Sequence, residues 1–278
     1  MPESSETIII AALSTLTPQQ LSDLTASILH QNRHHHHRIS ALLSSPSSFS
    51  LTLHHLQSLS LHHKALLIAK HLLTSLHHLT SHFHPPPPPA HSSTAINHRD
   101  LDAALLLLLL CEVYQDSPEI LNTPRSEWRE ILAKRCSDDV LKLQSCFGVH
   151  YGGALLPYVE MVVRCWRFIG VVGGVGRKER WEVGAAPAAV VALPTVAVRG
   201  GGKECVICKE EMREGRDVCE LPCEHTFHWM CILPWLRKRN TCPCCRFQLP
   251  TEDVVGEIER LWSALMKIGG TALACDWQ

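Results

Sequence analysis

Apolar residues recur at helical spacing through most of the first 170 positions. Leu21, Leu24, Ile28 and Leu29 form one such set, and Leu66, Ile68, Leu72, Leu73 and Leu76 form another. Spacing of this kind collects apolar side chains on one side of an α-helix. Thr17-Pro18-Gln19-Gln20 predicts a helix start, with Thr17 as N-cap, Pro18 in the first turn and Gln20 at the capping-box position. Residues 5–84 therefore read as helical. A second helical block follows. Leu101 to Tyr114 reads as one buried helix, Ser126 to Lys134 as a helix with Trp128 and Ile131-Leu132 on one side, and Leu155 to Ile169 as a third carrying Val159, Val162, Val163 and Trp166. Near the C-terminus Val254, Ile258, Leu261 and Leu265 recur at coiled-coil-like spacing, with Thr251 as the expected cap and Glu252 and Asp253 in the first turn. So short a stripe favours packing on the rest of the chain over dimerisation.

Breaks in the pattern divide the chain. The divisions expected are a His/Ser/Leu-rich helical region (1–84), a Pro-rich linker (85–98), a second helical block (99–169), a Gly-rich and apolar linker (170–203), a Cys/His-rich domain (204–247) and a C-terminal helix (248–268). Pro85 to Pro89 favours a stiff, extended connection. It could also serve a Pro-binding domain, but it lacks charged flanks to fix an orientation. Gly173-Gly174-Val175-Gly176 lacks the Lys-Ser/Thr ending of a phosphate loop, so a linker is the better reading. Of the 19 histidines, 16 lie before residue 99, including His34 to His37. Such tracts can bind metal. The doublets His54-His55, His62-His63 and His77-His78 sit between leucines, however, which suits the polar faces of amphipathic helices.

Composition narrows the function classes. Of 278 residues, 45% are hydrophobic and 19% charged, and the net charge is -1, without the basic excess of a nucleic-acid binder. The apolar run Ala103 to Cys111 is far short of the ~20 residues that span a bilayer. The longer stretch Val183 to Val198 is interrupted by Pro187 and Pro194. No transmembrane span is expected, and peripheral membrane association stays open. The start, Met1-Pro2-Glu3-Ser4-Ser5-Glu6, lacks a basic signal region, and its acids fit poorly with a transit peptide. With 13 cysteines, an odd number, a reducing compartment with thiols kept for metal is expected.

The metal is suggested by one array: Cys205-x2-Cys208, Cys223-x-His225-x2-His228-x2-Cys231 and Cys242-x2-Cys245. Eight ligands make two sets of four, which matches two closed tetrahedral zinc sites. Two Zn2+ would hold together a stretch too short to bury much core. Cys219 could stand in for Cys223, and Cys244 for Cys245. The first leaves five residues before His225, and the second leaves one residue after Cys242, too tight for the usual turn. Both read better as non-ligands, Cys219 as a small buried side chain.

With histidine at the fourth and fifth positions, and 14 and 10 residues after Cys208 and Cys231, the segment resembles a RING-H2 finger. A PHD or LIM module has another ligand order. The resemblance implies a mainly α N-terminal region, a small α+β RING-H2 cross-brace zinc domain and a C-terminal helix. It implies interleaved sites: Cys205, Cys208, His228 and Cys231 for one zinc, and Cys223, His225, Cys242 and Cys245 for the other. It also implies an E3 ubiquitin ligase that recruits a ubiquitin-charged E2 and promotes transfer to a substrate lysine, without a covalent ubiquitin–ligase intermediate. Ile207, Trp235 and Pro243 match the family's E2-binding positions, though each apolar residue could instead serve the core. Arg246, just after the last ligand, matches a cation that bonds both E2 and ubiquitin, and the matched position favours that role over a solvated surface arginine. A non-catalytic zinc scaffold within a ligase complex is the competing reading. A broader likeness, over Thr7 to Ser14, Arg99 to Ala103, Trp128 to Leu132 and Glu204 to Leu249, is similar to amyloplast-associated plant RING-H2 ligases of shoot gravitropism. It implies that the N-terminal half targets the protein or binds its substrate, and that it acts on the cytoplasmic face of the plastid (amyloplast) surface.

Overall fold

The computed structural model describes residues 4–83, 96–145, 155–172, 183–197, 203–212 and 218–275. The Pro85 to Pro89 run and the glycine clusters at 173–176 and 200–202 lie outside them. The chain divides into two compact units.

The first unit takes in the described residues within Met1–His84, Ala95–Val175 and Leu261–Gln278. It is helical: α1 (Ser5–Ser14), α2 (Pro18–Ser44), α3 (Pro46–Ser58), α4 (Leu61–Thr80), α5 (His98–Asp116), a 3-10 turn (Pro118–Asn122), α6 (Arg125–Ser145) and α7 (Leu155–Val172). Local chemistry sets the starts. Thr17 Oγ1 accepts from Gln20 N–H at 3.3 Å and Gln20 Oε1 accepts from Thr17 N–H at 3.0 Å, so two otherwise orphaned donors at the head of α2 are satisfied. Ser45 and Ser60 cap α3 and α4 in the same sense, each accepting from an N–H three residues on. The apolar stripes read from the sequence face inward. Leu24, Ile28, Leu72, Leu76, Val159 and Val162 are buried, and α4 packs on both α5 and α7. Each such side chain contributes roughly 1.5–3 kcal/mol when fully withdrawn from water.

Two expectations are corrected here. The leucine run of α5 is only partly buried: Ala103, Ala104, Leu106 and Val113 are enclosed, while Leu105, Leu107, Leu109 and Leu110 lie at the margin of the core. A run of consecutive leucines wraps the helix, and only part of the helix circumference meets α3 and α4. Nor are the histidines uniformly on polar faces. His54, His62 and His63 are exposed and His77 and His78 half-buried, but His71 is buried, with its ring 5.4 Å from that of His35.

The C-terminal helix, α10, runs Val254–Cys275. It begins later than the acidic residues suggested, because Asp253 is its cap: Asp253 Oδ2 accepts from Gly256 N–H at 2.7 Å, and Thr251 Oγ1 accepts from Asp253 N–H instead. From Leu261 onward α10 belongs to the helical unit, where Trp262 stacks on Trp166 with ring centroids 4.6 Å apart.

The second unit contains the described residues within Gly176–Arg260. Its elements are α8 (Pro187–Val191), β1 (Thr195–Val196), β2 (Val218–Glu220), β3 (Thr226–His228) and α9 (Trp229–Leu236). The strands form an antiparallel sheet in chain order, with Thr195 opposite Cys219 and Cys219 opposite Phe227. Leu193, Met212, Val218, Leu221, Phe227, Ile232, Leu236 and Leu249 are its core. Residues 183–197 thus contain a short helix and an edge strand, although the sequence reads 170–203 as a linker. Pro187 opens a short helix, where a missing N–H costs nothing, and Pro194 immediately precedes the edge strand. No helix among the described residues is long and apolar enough to cross a membrane.

Candidate metal centre

The second unit repeats one turn. Cys205 N–H donates to Glu210 O at 2.9 Å, and Lys209 N–H donates to Cys205 O at 2.7 Å. Near its end, Cys242 N–H donates to Phe247 O at 2.8 Å and Arg246 N–H to Cys242 O at 3.0 Å. A bridge closes each base, Glu204 with Glu211 and Thr241 with Gln248. Lys209 and Arg246 hold the same place and the same left-handed backbone, φ 61° and 60°. Such a turn brings the two cysteines of each C-x2-C pair to one side. Between the turns, Glu224 at φ 64° reverses the chain between Cys223 and His225, and Leu221 N–H donates to His225 O at 2.9 Å. β3 then leads directly into α9, which places His228 and Cys231 together.

The folded chain gathers two groups. Cys205, Cys208, His228 and Cys231 bring one ligand atom each within 4.8 Å of one another, and Cys223, His225, Cys242 and Cys245 do the same. His228 Nδ1 is 3.4 Å from Cys208 Sγ, and its buried Nε2 has no hydrogen-bond partner among the described residues. His225 Nδ1 lies 3.1 Å from the carbonyl oxygen of Cys223. Cys219 is fully buried in β2 and belongs to neither group. Cys244 is exposed and also outside both, with its N–H directed at Cys242 Sγ at 3.4 Å.

Protonation behaviour tests the fit to a cation. Burial works against ionisation of Cys205, but N–H groups of His228, Cys208 and Ile207 donate to its sulfur and hold its pKa below the usual thiol value. The Phe247 N–H lowers Cys245 in the same way. Their neighbours move oppositely: Cys231 and Cys223 are each pushed up to about 12, first by burial and then by adjacent thiols. Crowded thiols resist ionising together unless a cation sits among them. Three sulfurs and one imidazole in each group suit zinc, which deprotonates such thiols when it binds.

The other singled-out residues fall around these turns. Ile207, in the first turn, is 38% exposed. Pro243 occupies the second turn and is half-buried, and Arg246 after it is exposed. Trp235, on α9, is half-buried; its Nε1–H donates to Thr241 O at 2.7 Å, and the Arg239 guanidinium lies 5.1 Å from the ring centroid. Leu236 is fully enclosed in the core. Reading the sequence alone missed Lys209, the counterpart of Arg246 in the first turn. The signal was available in the matched C-x2-C-basic spacing.

Residues 203–246 match the family model of the Ring finger domain. The chain is 52% identical, over 96% of its own length and 98% of the relative's, to E3 ubiquitin-protein ligase SGR9, amyloplastic, of Arabidopsis thaliana. It is 46% identical over 25% of its length to E3 ubiquitin-protein ligase RING1-like of the same plant, and 49% identical over 25% to E3 ubiquitin-protein ligase RNF181 of Rattus norvegicus, covering 23% and 43% of those chains. A likeness of that strength running almost end to end, together with a zinc-binding finger folded around paired Cys/His groups, shows that the chain belongs to the RING-H2 E3 ubiquitin-protein ligases.

Proposed function

We propose that this ligase binds two zinc ions, one in each Cys3His group, and uses the rigid frame they create to hold an E2–ubiquitin thioester in a reactive pose. The observation that carries this reading is the pair of matched turns, which place Ile207 in one and Pro243 and Arg246 in the other. With four protein ligands in each group, no coordination position remains to activate water. The zinc supplies structure.

Every other part of the task falls to the chain. Ile207, Trp235 and Pro243 offer apolar contacts to the E2, with Trp235 oriented by its bond to Thr241 O. Arg246 supplies charge-assisted donors to the E2 and ubiquitin together, restricting the mobile ubiquitin. The substrate lysine amine then attacks the thioester carbonyl. An isopeptide bond forms, and the E2 cysteine leaves as the thiol. The ligase itself makes no covalent bond to ubiquitin.

The helical unit is assigned to substrate binding or targeting. RNF181 and RING1-like share only about a quarter of this chain with it, whereas the amyloplastic relative shares nearly all. That relative's name supports association with the plastid; action at the cytoplasmic face of its surface, through peripheral attachment, is the finer part of this proposal. Self-ubiquitination with a promiscuous E2 tests the catalytic reading. Ile207→Ala, Trp235→Ala and Arg246→Ala should each lose most activity, and normal activity in all three would remove these assignments. Protease treatment of intact plastids tests the location: surface-bound protein is digested, imported protein is protected.

A further inference from the structure

The family match begins at residue 203, yet residues well before it are bonded to the end of α9. Ala185 N–H donates to Leu236 O at 2.8 Å, and Ala186 N–H to Pro250 O at 2.8 Å. Val183 O accepts from Asn240 N–H at 2.9 Å. Gly184 lies so close to the helix end that a Cβ there would stand 2.5 Å from Arg237 O and 3.0 Å from its carbonyl carbon. The last carbonyls of a helix lack intrahelical donors, and Ala185 supplies one.

Asn240 carries the connection further. Its Nδ2–H donates to Leu249 O at 3.0 Å, and its backbone carbonyl accepts from Leu249 N–H at 2.6 Å. The next residue, Thr241, provides the carbonyl that receives Trp235 Nε1–H. The orientation of the Trp235 ring therefore depends on a backbone segment held from both sides, by Val183 and by Leu249. None of these groups belongs to the two Cys/His clusters.

We propose that residues 183–186 and Asn240 form a positioning clamp, which fixes the end of α9 so that Trp235 meets the E2 in one orientation. The proposal rests on the reading of Trp235 as an E2 contact. Because the clamp lies outside the metal groups, loosening it weakens E2 binding without releasing zinc.

The test uses the full chain, zinc analysis, and single-turnover discharge of a charged E2 to free lysine across a range of E2 concentrations. Gly184→Val should raise the half-saturating E2 concentration about tenfold, near 1.4 kcal/mol, with the maximal rate and zinc content unchanged. Asn240→Asp, which keeps the shape but loses the Nδ2 donor, should shift it in the same direction by less, and it decides the matter if Gly184→Val does not fold. Ile207→Ala reports on the E2 surface independently. If it raises half-saturation while neither clamp variant does, the clamp is wrong and the E2 surface stands. If none of the three changes it, both readings fall. Zinc loss with a lower maximal rate in the clamp variants would make the segment a folding element only, and also overturn the proposal.

Discussion

At the scale of the residue, the left-handed backbone of Lys209 and Arg246 has a direct consequence. That conformation costs a residue with a Cβ about 1 kcal/mol relative to glycine. Lys209→Gly should therefore raise the thermal midpoint of the zinc-loaded protein, and an unchanged or lower midpoint would show that the turn is held another way. The sequence made Arg246 visible through its place after the last cysteine; it could not show the backbone angle, which comes from closing the turn. His71 gives a second prediction. Burial, the principal cause, holds it down to about 4, and His35 beside it is held at about 3 by burial and then by His71, His34, His78 and Arg38. The unfolded chain, with a histidine pKa near 6.5, takes up protons first as pH falls. Stability is thus fully present above about pH 6.5 and declines toward pH 4, by about 3 kcal/mol for His71 alone. Urea unfolding across this range should show the decline, and His71→Leu should flatten it. Burial of His71 was not legible in the sequence, because its ring neighbour His35, on α2, is remote along the chain.

At the scale of the element, signals confined to a few residues were the readable ones. The Thr17–Gln20 capping box and the apolar faces of α2 and α4 needed only local spacing. The three-residue strands and the ordered segment at 183–197 did not, since their stability comes from pairing with Val218 to Glu220 and from burying Leu193. Helix α10 offers a paired test. A methyl group at Gly269 would overlap the carbonyl of Ile8, whereas at Gly270 it meets nothing within 4 Å. Gly269→Ala should destabilise the protein by about 1–3 kcal/mol through overpacking. Gly270→Ala should stabilise it by about 0.5–1 kcal/mol through helix propensity. Denaturant midpoints that moved alike in both would contradict the close approach of α1 and α10.

At the scale of the molecule, two units draw on different sources of stability. The helical unit has cores built from Leu24, Ile28, Leu72, Val162 and their neighbours, while the second unit has a small core and two Cys3His groups. Chelation should therefore abolish ubiquitin transfer and unfold the second unit, with most far-UV helical signal retained. Collapse of the whole helical signal would mean that the first unit depends on the metal. The ligand array made the ligase reading available from about 45 residues, whereas no comparable motif marks the helical unit, whose kinship rests on likeness along the full chain. The central claim is that the metals serve only to hold a partner-positioning surface. It is tested most directly by measuring single-turnover discharge of an E2–ubiquitin thioester with Arg246→Gly, a change that suits the left-handed turn while removing the side chain. That variant should carry two zinc ions per chain and keep an undiminished thermal midpoint, with a discharge rate reduced at least about tenfold, as expected for lost charge-assisted hydrogen bonds. Discharge at the wild-type rate by that zinc-loaded variant would contradict the claim.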